Sequence, residues 1–515
     1  MNKLYFYLIV LSVCVSLAAQ EPGDLYIDFG TAGIFKERWP GAITEANDIG
    51  ILQDGSIVLS GYLETTLDEL QHILAVKLDN HGVPREFGNS IYGFECAVVG
   101  DEKAYAVQVL PDGKILIAGY YYAEGHYHPL AIRLFPDGQP DEEFGNHGIF
   151  NGEVYYMDVM DIDIYRTGGS YAIVLCGQSG DMTGRMLMLN DEGDVEDEFG
   201  NHGIVNLETG GEGTFSRIDI DSENHCLYAC AYYSDGSIIA KYHLPDGELC
   251  PEFGNSGILI YGPSEGFSGK VNAIIHDSEE GRIVLFGEYN HVDGDKDIFA
   301  CCLNADDGSL HLSFGAGGWT SLRSATSKDY LSAAIRQSDG KYYIGGYTNL
   351  TGDYDFFIGR VNPNGFADNT FGINGLVLTD MGGRNFINAL ALSPEEDVLY
   401  AAGLYEETPG DDAMAVAAYH TGYVSESGLG LQESATEPVH AFPNPVTDHL
   451  LLKVKHPRDL SSSYQLFDNC GRMLISEKVM GNECTIPMEQ QASGIYFLKV
   501  MTRGKVVRTI KIIKK

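Results

Sequence analysis

LAIRLFPDGQPDEEFG (residues 130–145) runs from a short apolar strand through an Asp-Gly turn to a Phe-Gly pair. The same order returns in IAKYHLPDGELCPEFG (239–254) and FIGRVNPNGFADNTFG (357–372). Phe-Gly itself recurs at Phe29-Gly30, Phe87-Gly88, Phe144-Gly145, Phe199-Gly200, Phe253-Gly254, Phe314-Gly315 and Phe371-Gly372, in steps of 54 to 61 residues. Six of the seven copies carry a further Gly three residues on; the second copy, FGNSIYG, does not. About 25 residues after each pair comes a turn and an apolar strand ending in Gly, as in QDGSIVLSG (53–61), PDGKILIAG (111–119) and SDGKYYIGG (338–346). In the fourth copy NHCLYACAY (224–232) lacks that closing Gly.

Asp-Gly and Asn-Gly supply the positive φ that a hairpin reversal needs. Runs such as KILIAG are short and rich in β-branched residues, the length of buried strands rather than helices. A unit of about 57 residues holds four such strands with their connections, the content of one propeller blade. Seven copies between residues 23 and 422 therefore predict an all-β fold, a seven-bladed β-propeller, with the recurring Phe plugging the gap between neighbouring sheets. Which strand closes the ring cannot be read from the repeat.

PDGKILIAG, AIRLFPDG and DEEFGNHG (141–148) resemble the delta-60 repeat, a bacterial propeller family written around DGK-apolar-xG, apolar-R-apolar-xxDG and DxxFGxxG. The resemblance spans about 400 residues and implies a fold without an established activity.

The chain of 515 residues carries 33 Lys+Arg against 73 Asp+Glu, a net charge of −40, which excludes nucleic acid as a natural partner. Residues 441–515 reverse the sign, with 12 basic and 6 acidic side chains, so two physically different modules are expected. Residues 1–20, MNKLYFYLIVLSVCVSLAAQ, read as a secretory signal peptide: Lys3, an apolar stretch from Leu4 to Val15, and a small-x-small cleavage signal. Val13 stands where a lipoprotein signal places a small residue before its cysteine, so Cys14 is expected to leave with the leader. No later apolar run is long enough to span a bilayer. Nine irregularly spaced cysteines remain, which make no disulfide framework, and without a Cys-x-x-Cys pair they give no thiolate zinc signature.

Residues 423–440 are small, polar and acidic, a linker. Beyond it, alternation from His449, a hairpin about the Asp468–Gly471 turn and a last hairpin built from ASGIYFLKV and KVVRTIKIIKK predict a small C-terminal β-sandwich over residues 441–515. That hairpin separates Cys470 from Cys484 by over about 20 Å, so no disulfide is expected between them. Pro443-Asn444-Pro445, Asp468, Gly471, Arg472, Gly494, Tyr496, Lys514 and Lys515, in that order, resemble the type A carboxy-terminal sorting domain of the type IX secretion system of Bacteroidetes. The resemblance implies passage through the periplasm, recognition of the folded tail by the type IX machinery, and release or attachment to surface lipopolysaccharide outside the cell.

Candidate chemistry is sparse. In HVDGDKD (291–297), Asp293, Asp295 and Asp297 alternate as calcium ligands do in a tight loop, although the Gly and Glu of an EF-hand are missing. Asp353, Asp355, Asp411 and Asp412 occupy comparable loops, which also fits a solvated hairpin. His126 and His128 are two imidazoles without a third ligand, and His147 and His202 share one repeat position. No catalytic residue or other cofactor is indicated. The segments 91–107, 151–163 and 261–272 vary most, and Tyr156, Tyr261 and Phe267 within them suit stacking on a sugar. The expectation is an exported binding or adhesion module for a glycan, a host protein or an envelope component. The alternative is a propeller hydrolase or lyase, distinguished by carboxylates or histidines from different blades converging on one pocket.

Overall fold

A computed structural model describes the chain outside residues 1–19, 40, 66–69, 89–93, 96–100, 208–212, 234–235, 262–268, 291–293, 323–326, 409, 424–438, 443–445, 455–461, 469–471, 480–482, 493 and 503–504. The leader, most of the linker, Asp293, Pro443, Asn444, Pro445, Phe267, Cys470 and Gly471 thus lie outside the described residues. Among those described, every regular element is a strand. Contacts divide the chain into two units, Met1–Tyr423 and Val424–Lys515.

The first unit holds seven antiparallel sheets. Their innermost strands are Ala42–Ile51, Asp101–Val109, Met157–Thr167, Thr214–Asp221, Gly269–Asp277, Asp329–Arg336 and Arg384–Leu392, which define blades 1 to 7. Each inner strand contacts the next around the ring, and the seventh contacts the first. Ring closure is now assigned: Ile34–Glu37 pairs with Asp412–His420 and becomes the outermost strand of blade 7. The first Phe-Gly therefore belongs structurally to the last blade. Blade 1, whose copy breaks the pattern as FGNSIYG, replaces one outer strand by two short ones, Pro84–Arg85 and Phe94–Glu95.

Each station of the repeat has a visible cause. All seven inner strands carry a one-residue register shift, for example between Ala46 and Asp48 and between Ala104 and Ala106. The bulge pushes a carbonyl toward the strand-closing glycine opposite. A Cβ on Gly61 would lie 1.8 Å from the Glu45 oxygen, and one on Gly119 would lie 1.9 Å from that of Lys103. Copy four tolerates Ala231 at the same place. The Phe ring of each Phe-Gly is fully buried, and six of the seven are covered by the turn glycine of the next blade; a Cβ on Gly138 would meet Phe87, and one on Gly193 would meet Phe144. The following Gly amide donates to a carbonyl of that same turn: Gly88 to Asp137 at 2.7 Å and Gly145 to Glu192 at 2.7 Å. The repeat is therefore a blade-to-blade latch. In blades 2 and 6 the motif Arg stacks on the Phe and pairs with the motif Asp: Arg133–Asp141 at 2.6 Å over Phe144, Arg360–Asp368 at 2.8 Å over Phe371.

The second unit is a sandwich. One sheet orders Val439–Phe442, His449–Val454 and Glu483–Pro487; the other orders Met473–Lys478, Ser462–Asp468, Gly494–Thr502 and Lys505–Lys514. Leu450, Leu452 and Ile486 from the first face Leu466, Leu498, Val500 and Ile512 from the second in one core.

Candidate functional site

Carboxylates from three blades gather near the propeller axis. Asp48 of blade 1 accepts the amides of Ile49 at 2.8 Å and Val107 at 2.7 Å. Asp161 and Asp163 of blade 3 accept Ile218 and Ile220 of blade 4 at 3.0 and 2.7 Å, and Asp219 of blade 4 accepts His276 of blade 5 at 2.7 Å. Inner strands present an unpaired edge to the axis, and these carboxylates supply its missing acceptors. Burial pushes the Asp48 carboxyl up to about 7 against the pull of the two amides; burial also raises Asp161, Asp163 and Asp219, the last two helped by neighbouring acids. Arg217 stands among them, its charge favoured by Asp161 and Asp48 although burial opposes it. These acids converge as an enzyme's would, but their oxygens are engaged in holding blades together.

A different constellation faces solvent. Antiparallel alternation puts the starts of the inner strands and the hairpins between second and third strands at one end of the propeller. There, around the blade 2 hairpin, Tyr105, Tyr120, Tyr127 and Tyr122 form a chain of rings with centroids 4.8 to 5.9 Å apart. Lys103 Nζ lies 4.3 Å from the Tyr62 ring centre and 5.1 Å from that of Tyr105. On the same hairpin His128 stacks on Tyr121 at 4.8 Å, and Tyr156 touches both His126 and His128 at 4.7 and 5.3 Å. Tyr122, Tyr127 and Tyr156 are 39, 42 and 46% exposed, large apolar faces left to solvent. Beside Tyr105 and Tyr120 burial raises Asp158 to about 6, while Gln178 and Lys103 favour its charged form.

The two histidines and Tyr156 were thus legible as candidates, and the fold brings them together. Tyr62, Tyr120 and Lys103 were missed. Their signal was the residue after the strand-closing position, aromatic as Tyr62, Tyr120, Tyr232 and Tyr347 in four blades. Exposed His147 and His202 hold φ near 55° in the Phe-Gly turn, consistent with a shared structural position. Asp297 is fully buried, accepts the Tyr289 hydroxyl at 3.1 Å and is the second residue of the blade 5 strand Lys296–Asn304, at the register position of buried Asp355 in blade 6; Asp295 is half-buried and accepts the Lys296 amide. Separately, a mostly apolar cavity of about 860 Å³ lies between blades 5 and 6, lined by Ile298, Ile344, Phe357, Phe366 and Leu378.

In the tail, Asp468 ends a strand opposite Tyr496, whose buried hydroxyl donates to the Ala492 carbonyl at 2.7 Å. Gly494 pairs with Lys514, Arg472 is exposed, and the Lys515 amide donates to Val446 at 2.9 Å. Cys484 is a free thiol.

Residues 440–515 match the secretion system C-terminal sorting domain family, and residues 110–144 and 337–371 match a β-propeller domain of unknown function. The protein is accordingly a β-propeller exported by the type IX secretion system to the cell surface or extracellular space. No curated protein sequence matches it. Among solved structures it is similar to PorZ, a surface component of the type-IX secretion system of Porphyromonas gingivalis (13% identity, TM-score 0.29, 91% of this chain and 65% of that one). It is also similar to prolyl oligopeptidase B of Galerina marginata (12% identity, TM-score 0.40, 82% and 56%) and to the polysaccharide lyase Uly1 (11% identity, TM-score 0.43, 73% and 90%). The chain therefore spans less than two thirds of the first two of these structures.

Proposed function

We propose that the propeller is a surface-delivered binding module that takes a glycan on the aromatic rim of blades 2 and 3. The observation that carries this is the exposure of Tyr122, Tyr127 and Tyr156 around the blade 2 hairpin, with Lys103 and Asp158 reached through the adjoining rings of Tyr105 and Tyr120. Sugars offer an apolar face to a ring and hydroxyls to a carboxylate or ammonium, and this rim supplies both chemistries. The axial carboxylates support the binding reading, because they are committed to main-chain amides. The test is a glycan array on the full exported chain, followed by calorimetry. Tyr127→Ala and Tyr156→Ala are each expected to weaken binding by about 3- to 10-fold, the worth of one aromatic contact. Unchanged affinity in both variants would remove the rim from the reading.

One observation favours the hydrolase or lyase alternative: Asp158, raised to about 6, sits beside Tyr105 and Tyr120 as a proton donor would. Turnover of an extracellular polysaccharide that Asp158→Asn abolishes would establish it. Attachment to surface lipopolysaccharide belongs to the same proposal, and a mass above that of the polypeptide in the surface-bound form would support it.

A further inference from the structure

Blade 4 differs from blade 2 at two positions that touch. In blade 2, Lys114 and Asp141 form an ion pair at 2.8 Å beside Arg133. Lys114 lies five residues before Gly119, the residue opposite the bulge; in blade 4 the residue five before Ala231 is Cys226. Asp141 lies three residues before Phe144, and three before Phe253 stands Cys250. The place of Arg133 is taken by Lys241, whose ammonium donates to the Ala305 carbonyl at 2.9 Å instead. Where blade 2 has this ion pair, blade 4 has a thiol at both ends.

A third donor completes the group. Cys226 opens the strand Cys226–Tyr233 directly opposite His243, the last residue of Gly236–His243. On the other side of that strand, Tyr242 bridges Leu249 and the Cys250 amide donates to Lys241 at 2.9 Å. Side chains opposite one another, or two apart along a strand, share a face. Cys226, His243 and Cys250 therefore project from one face, and their Sγ, imidazole nitrogen and Sγ atoms all lie within 4.8 Å of one another. Both thiols are buried and the imidazole is exposed.

We propose that Cys226, Cys250 and His243 bind one zinc ion, with the fourth position open to water on the exposed side of His243. Two sulfurs and a nitrogen at about 2.3 and 2.0 Å from a tetrahedral ion lie about 3.5–3.8 Å apart, so closure requires shifts of about 1 Å. The set is soft and borderline, which suits zinc and not calcium or magnesium. Binding displaces the two thiol protons. A Cys226–Cys250 disulfide is disfavoured because a whole strand separates the two residues. Both cysteines are free thiols, and the strand Gly236–His243 lies between them.

The test uses the full chain, purified without chelator and equilibrated with zinc sulfate. One zinc per chain is expected by native mass spectrometry, with Cys226 and Cys250 protected from alkylation until a chelator is added. Cobalt in place of zinc should give a thiolate-to-cobalt charge-transfer band and a tetrahedral visible spectrum. Cys226→Ser and Cys250→Ser should lose both signatures. His243→Ala, at an exposed position that leaves folding intact, should weaken binding by roughly 100-fold or more, beyond what loss of an outer hydrogen-bond partner costs. Alkylation unaffected by zinc together with an absent cobalt band would overturn the proposal. So would a Cys226–Cys250 disulfide peptide in a non-reducing digest of the exported protein.

Discussion

The amide of Gly372 donates to the carbonyl of Pro22 at 2.9 Å, joining the last Phe-Gly pair to a residue some 350 positions earlier. Every other Phe-Gly makes the same bond to the turn of the blade that follows it. The segment at Pro22 thus stands in for the seventh turn, and the latch repeats around a closed ring.

The latch predicts unequal costs for two glycines of the same conformation. Gly113 and Gly138 have φ of +86° and +85°, but a Cβ on Gly113 meets nothing within 4 Å whereas one on Gly138 would lie 2.2 Å from the Gly88 nitrogen. Gly113→Ala should cost about 1 kcal/mol for the left-handed backbone alone. Gly138→Ala should cost at least about 2 kcal/mol more, read by urea unfolding.

Arg360 and Asp368 are both buried and bonded to each other. Arg360→Met should destabilise the propeller by about 3–5 kcal/mol, because it strands a buried carboxylate. Adding Asp368→Asn to it should restore much of the loss, a double-mutant cycle that a purely steric role for Arg360 would not produce.

The axial acids set a pH trend. Asp48 is raised from 3.8 to about 7, so between those values the folded state holds a proton that the unfolded chain has released. Stability should therefore fall as pH rises from about 4 to 7, with Asp161 acting in the same direction. Asp368, lowered in the folded state mainly by Thr370 and Arg360 against burial, contributes the opposite loss only below its ordinary range. Urea unfolding at pH 5 and pH 8 should show the difference, and Asp48→Asn should shrink it.

Ligand affinity at the rim should change across pH 6, where Asp158 exchanges its proton. Calorimetry from pH 5 to 7 should show an inflection in the native chain and none in Asp158→Asn. An inflection surviving that substitution would remove Asp158 as its source.

Ile512 lies in the shared core of the tail, and its strand Lys505–Lys514 forms nine pairs with Gly494–Thr502. Deleting residues 505–515 should unfold the sandwich and hold the protein in the periplasm, whereas Lys515→Ala should leave the fold intact. Cell fractionation in a host with the type IX machinery separates the two results.

Much of this was legible because it is local or periodic. Phe-Gly, the turn glycines and the strand-closing glycine announce themselves by spacing, and the tail by its ordered motif. Tyr156, His126 and His128 were visible as residues of a variable loop. What linear order withheld is whatever depends on which strands become neighbours. Ring closure by Ile34–Glu37 joins segments nearly 400 residues apart. The commitment of Asp48, Asp161 and Asp219 to the next blade's amides exists only once inner strands expose an edge to the axis. Cys226, His243 and Cys250 follow no motif spacing, because pairing across two hairpins, not chain separation, sets the distances between their donor atoms. Composition and repetition determined the kind of sheet and its number; closure of those sheets about an axis decided which side chains meet, since contact across a blade interface carries no trace in the order of residues.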